Sequence, residues 1–141
     1  MRKINIMHIE NSRPYLDVME RFFKRDEIFD YKYSHVTSCE KALDVMEELS
    51  SLPDILIVDL MLENDNDPKP GVEFINRLRA NEKFKNLIVI VLTATTKASP
   101  KNELEEAGLV EGYYNKTFRP SKWKNEIKNI FEKVKGGSLD V

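Results

Sequence analysis

PDILIVDLMLENDNDPKPG, residues 53–71, decides how this chain folds. Asp54 to Leu60 reads as a strand so apolar that both of its faces must be covered, as in a parallel sheet. Asp59 stands near the end of that run, where an unpaired carboxylate is costly to bury. An acidic, proline-punctuated loop follows.

Working outward, apolar runs alternate with segments of helical period. Ile4 to Ile9 reads as a first strand. Pro14 to Arg25 reads as a helix with Leu16, Met19, Phe22 and Phe23 on one face and Pro14 in its first turn. Phe29 to Val36 is a weaker strand. Thr37-Ser38-Cys39-Glu40 has the form of a capping box, opening a helix that carries Ala42, Leu43, Met46 and Leu49 inward. Gly71 to Asn81 reads as a helix with Phe74, Ile75 and Leu78 inward, and Leu87 to Leu92 as a second fully apolar strand. Ser99-Pro100 has the form of an N-cap and first helical residue. The helix it would open has few anchors, chiefly Leu104 and Ala107, and Gly108 would end it. Gly112 to Asn115 is a short strand. Pro120 starts a last helix with Trp123, Ile127, Ile130, Phe131 and Val134 on one stripe. Strand–helix alternation of this kind calls for right-handed crossovers: a five-stranded, doubly wound parallel α/β sheet with helices on both faces. Residues 1–135 are expected to form one domain and residues 136–141 a flexible tail.

Composition narrows the function classes. The chain has 141 residues and a formal net charge of −2, with 41% apolar and 33% charged residues. That balance gives no electrostatic reason to expect nucleic acid or an anionic membrane as partner. One cysteine, Cys39, allows no internal disulfide, and a reducing, cytoplasmic compartment is the expectation. The start of the chain has no signal-peptide pattern, and no apolar run is long enough to span a bilayer.

In open parallel sheets, sites form beyond the carboxyl ends of the strands. Glu10 and Asn11 follow the first strand, Asp59 ends the third, Thr93 follows the fourth and Lys116 the fifth. Carboxylates gathered there can hold a hard divalent cation such as magnesium. A hydroxyl and an ammonium beside them can take the oxygens of a phosphoryl group. Each residue also has a plain reading: Asn11 as a turn residue before Pro14, Thr93 as a strand cap, Lys116 as a solvated lysine, Tyr113 as fixed packing. His8 and His35 lack partners at metal-ligand spacing, and Glu63 to Asp67 lacks the glycine and terminal glutamate of a calcium loop.

IMHIENS (6–12), PDILIVDLML (53–62), IVIVLTA (88–94) and EAGLVEGYYNKTF (106–118), in this order, resemble the response-regulator receiver family. The resemblance runs from about Lys3 to Val134. It implies the flavodoxin-like receiver fold and a single-domain response regulator that is not an enzyme. It implies phosphoryl transfer to Asp59 from a histidine kinase or phosphotransfer protein, and signalling to a downstream protein. Carried over by position, Glu10, Asn11, Asp59 and the Met61 backbone carbonyl match the Mg2+ ligands. Thr93 and Lys116 match the residues that bind the phosphoryl group, and Tyr113 the aromatic switch. A homodimer is left open.

The chain departs from the family pattern at three places. Glu10-Asn11 stands where two acidic residues are usual, and a neutral asparagine should weaken the metal site. Thr117 follows Lys116 in place of the usual proline. A cis bond there would cost about 2.5–4 kcal/mol, so trans is expected. The loop after Asp59 is longer by part of ENDNDPKP. The alternative is therefore a degenerate receiver that binds a partner without phosphorylation. A phosphatase of the haloacid dehalogenase type would need an aspartate where Met61 stands, and a flavodoxin a Ser/Thr/Gly-rich loop where ENSRPY stands.

Overall fold

The computed structural model describes residues 3–25, 30–48, 52–61, 67–116 and 120–135. The described residues form five strands: β1 (Lys3–Ile9), β2 (Asp30–Val36), β3 (Ile55–Val58), β4 (Ile88–Thr93) and β5 (Gly112–Asn115). The helices are α1 (Arg13–Lys24), α2 (Cys39–Glu48), α3 (Lys69–Arg79), α4 (Ala98–Glu106) and α5 (Pro120–Lys135), with a 3-10 turn at Glu82–Phe84. The strands are all parallel, in the order β2-β1-β3-β4-β5. The order reverses at β1, so the crevice between the carboxyl ends of β1 and β3 is the place for a site.

Side-chain alternation divides the core in two. Ile4, Ile6, Ile55, Ile57, Ile88, Ile90 and Leu92 pack with Met19 and Phe23 of α1 and with Ile127, Ile130 and Phe131 of α5. Met7, Ile9, Leu56, Val58, Val89 and Val91 pack on the other face with α2, α3 and Leu104 of α4. β3 and β4 are buried throughout, which is why they read so plainly in the sequence. β2 lies at the sheet edge and is half exposed.

Several expected boundaries are corrected. α2 begins at Cys39, and its cap is Ser38, whose hydroxyl accepts the Lys41 N–H at 3.1 Å. The capping-box reading of Thr37 and Glu40 was therefore one residue out of register. α3 begins at Lys69, ahead of Gly71, with Pro70 in its first turn. α4 begins at Ala98 behind Lys97, so Ser99 is no cap and Pro100 lies inside the first turn, buried. Ala107, expected to anchor α4, is exposed, and Leu104 and Pro100 are the buried residues. Gly108 does end the helix, at φ +67°. The Leu109 N–H reaches back to the Leu104 carbonyl and the Gly108 N–H to the Glu105 carbonyl, a Schellman closure. Phe29, Leu49, Leu62, Thr117, residues 63–66, the tail 136–141 and the Trp123 side chain lie outside the described residues. Among the described residues no helix is long and apolar enough to cross a membrane.

Candidate functional site

The sheet ladders run one residue past the strands and thereby set the site. The Glu10 N–H donates to the Val36 carbonyl at 3.0 Å, the Asp59 N–H to Ile9 at 3.2 Å and the Lys116 N–H to Thr93 at 2.9 Å. Asp59 thus sits just beyond β3, 4% exposed, and Glu10 just beyond β1, fully buried. Continued alternation directs Glu10, Asp59 and Lys116 to the α1/α5 face of the sheet.

Lys116 joins the two carboxylates. Its Nζ lies 2.5 Å from Glu10 Oε1 and 3.1 Å from Asp59 Oδ2. At that distance the Glu10 contact is a charge-assisted ion pair that occupies Oε1. The remaining oxygens are held by backbone. Glu10 Oε2 accepts the Asn11 and Ser12 N–H groups at 2.9 and 3.2 Å, and Asp59 Oδ1 accepts the Met61 N–H at 3.1 Å. Burial, reinforced by the Asp59 charge and opposed by Lys116, holds the Glu10 carboxyl above its ordinary range. For Lys116, burial works against the charge, but the Glu10 and Asp59 carboxylates outweigh it and hold the ammonium above its ordinary range.

Thr93 is fully buried, and Oγ1 accepts the Thr95 N–H at 3.4 Å. It follows the alternation of Val89 and Val91, toward the α4 side of the sheet, whereas Asp59 and Lys116 follow the other face. Tyr113 pairs with Val91 on that same side, half-buried against the core. Its hydroxyl is buried without a hydrogen-bond partner among the described residues, and burial, with Glu105, pushes the phenol up to about 12. The Asn11 side chain is exposed; what it gives the pocket is its backbone N–H. Met61 is half-buried beside Asp59. Of the four expected metal ligands, Glu10 and Asp59 bring carboxylate oxygens to one point, the Lys116 Nζ. Among the described residues no group of three His, Cys, Asp or Glu side chains is placed to hold a metal.

Gly71 keeps this edge closed. A Cβ there would lie 2.7 Å from the Leu60 Cα and 2.8 Å from the Leu60 carbonyl oxygen, immediately after Asp59. Only glycine lets α3 approach so closely.

Two features escaped the sequence reading. The Tyr15 ring lies under Lys116, its centroid 4.8 Å from Nζ. Behind it the buried His8 approaches the Tyr33 hydroxyl at 2.6 Å through Nδ1. Burial, with the charges of Lys116 and His35, holds the His8 imidazole down at about 3, so it is neutral. Tyr15 follows Glu10 closely in sequence, but nothing in its spacing marks a contact with a residue on β5's far end.

The profile described as "Response regulator receiver domain" matches residues 6–128. The chain belongs to this family. It is therefore a receiver domain of two-component signalling, a signalling module. Chemotaxis protein CheY of Pseudomonas aeruginosa is 35% identical over 79 residues, which make up 55% of this chain and 63% of that protein. The match thus spans under two-thirds of that relative's length. A response regulator from Chloroflexus aurantiacus superposes with a TM-score of 0.75 at 25% identity, over 92% of this chain and 98% of that one. The Mn2+-bound form of response regulator Rcp1 superposes at 0.66 with 21% identity, over 94% and 90%, a likeness of fold.

Proposed function

We propose that this receiver accepts a phosphoryl group on Asp59 from a histidine kinase or phosphotransfer protein, and signals to a downstream protein through the surface of α4, β5 and α5. The observation that carries this reading is the 3.1 Å contact of Lys116 Nζ with Asp59 Oδ2 in a buried pocket at the carboxyl edge. Phosphoryl transfer asks the protein chiefly for an in-line nucleophile and for positive charge on the equatorial oxygens. An Asp59 carboxylate oxygen forms the new bond to phosphorus as the donor's nitrogen departs with its electron pair. Lys116 shifts from Glu10 to a phosphoryl oxygen, and the Thr93 hydroxyl takes another.

The donor set suits a hard divalent cation. Glu10 Oε1 and Asp59 Oδ2 already reach a single cation, the Lys116 ammonium. Glu10 and Asp59 would hold Mg2+, with the Met61 carbonyl and Asn11 completing the set. When bound, it supplies charge neutralisation at the phosphoryl oxygens. The exposed, neutral Asn11 makes that site weaker than one with two acidic residues.

A phosphoryl group puts about −1.5 to −2 charges where −1 stood. Movement of Thr93 toward it frees space on the α4 side, and Tyr113, whose hydroxyl has no hydrogen-bond partner among the described residues, turns into that space. α4 responds because Pro100 and Leu104 are its buried anchors.

The degenerate reading draws on the same Asn11 and on the ammonium lodged between the carboxylates. Intact-protein mass after incubation with a small acyl phosphate, titrated with magnesium, separates the two. A metal-dependent gain of one phosphoryl group supports acceptance. No gain at millimolar magnesium supports a phosphorylation-independent interaction module.

A further inference from the structure

Lys116 has a third neighbour that the proposed chemistry leaves unused. The Tyr15 ring is presented to Nζ at 4.8 Å from the third position of α1, and it is half-buried. It does not float there: the His8 ring meets it edge-on, centroids 6.2 Å apart and planes at 77°, and His8 is itself anchored to Tyr33.

We propose that Tyr15 is a positioning residue for phosphoryl uptake, its ring face holding the Lys116 ammonium beside Asp59 when that ammonium lets go of Glu10. The inference rests on the reading of Lys116 as the partner of the phosphoryl group. The closer of the two ion pairs, 2.5 Å to Glu10, must open for Lys116 to serve a phosphoryl oxygen, while the 3.1 Å contact lies where that oxygen arrives. A lysine stem released from a carboxylate regains its rotamers and the ammonium is strongly hydrated, so it drifts toward water. An aromatic face attracts the ammonium without neutralising it. Unlike a third carboxylate, it does not compete with the phosphoryl oxygens for the charge.

Two readouts test this. The first needs no phosphorylation: the Cε methylene protons of Lys116 in the wild-type protein, followed by NMR, carry an upfield ring-current shift. Tyr15→Leu abolishes that shift and Tyr15→Phe keeps it. The second is the rate of uptake from a small acyl phosphate. Tyr15→Leu slows it by about three- to tenfold, the range a cation–π contact supports, and Tyr15→Phe recovers most of the loss. Should Tyr15→Leu lower the unfolding midpoint, Tyr15→Met, unbranched and without a ring face, replaces it. Lys116 resonances unmoved by Tyr15→Leu, or equal slowing by Leu and Phe, overturn the inference. A wild-type protein that takes up no phosphoryl group overturns the reading of the site itself, and the ring-current shift then still decides whether the contact exists.

Discussion

The two edges of the sheet handle charge in opposite ways. At the amino edge, Arg79 of α3 donates from Nε to the Leu109 carbonyl and from Nη1 to those of Phe84, Lys85 and Leu87, at 2.7 to 3.4 Å. Its Nη2 reaches both Glu111 oxygens at 3.0 Å, and Glu111 Oε1 also accepts the Val89 N–H at 2.9 Å. Each charge there ends on a partner, and the knot ties α3, β4 and the entry to β5 together. At the carboxyl edge, two buried carboxylates share one ammonium, at 2.5 and 3.1 Å. Satisfied charge locks structure, whereas under-neutralised charge leaves a pocket ready for another cation or a phosphoryl group. Substitutions should therefore separate: stability changes at the first edge, chemistry at the second.

The sharpest separation is Asp59→Asn. Phosphoryl uptake, read by intact mass, falls below detection. Stability in urea changes by less than about 1 kcal/mol, because a repulsion with Glu10 and an attraction to Lys116 are lost together. Arg79→Met is the converse. It strands Glu111 and several carbonyls, costs about 3 kcal/mol in urea unfolding and leaves the uptake rate within about twofold. A large loss of uptake in folded Arg79→Met protein would erase the contrast. Gly71→Ala tests whether the carboxyl edge depends on its backbone. The added Cβ meets Leu60 main chain at 2.7 Å, so about 1–3 kcal/mol is lost and uptake slows with it.

The smallest effect is at Tyr113. Tyr113→Phe removes a buried hydroxyl that has no partner among the described residues and raises stability by up to about 1 kcal/mol. The alkaline limb carries a sign. The folded phenol holds its proton up to about 12, while the unfolded chain releases it from its ordinary value of 10.0. Between these values the unfolded state binds fewer protons, so stability falls as pH rises. Tyr113→Phe makes that fall shallower by one proton, and an unchanged slope in alkaline urea titrations would show that the phenol is not held protonated.

What the sequence disclosed follows from burial. β3 and β4 are apolar on both faces because helices cover both, so the parallel sheet and the position of Asp59 were legible. Glu10, Thr93 and Lys116 were legible as strand-end residues, since strand ends need only be located and not oriented. Orientation was not legible. The alternation that sends Lys116 to the α1 side and Thr93 to the α4 side depends on the register of β4 and β5, and the Lys116–Tyr15 contact on how α1 lies against the sheet. The start of α4 was misplaced because Ser99-Pro100 has capping chemistry, whereas the observed N-cap, Lys97, makes no side-chain bond. Arg79 and Glu111 stand 32 residues apart, and their meeting depends on α3 and β5 being brought to one edge.

The most direct measurement is to place the phosphoryl group. The protein is incubated with a small acyl phosphate and magnesium, the acyl phosphate is trapped by borohydride reduction, and the peptides are sequenced by mass spectrometry. A reduced aspartate at position 59 alone, absent from Asp59→Asn, is the predicted result. A label on another residue, or none in wild-type protein at saturating magnesium and donor, contradicts the account.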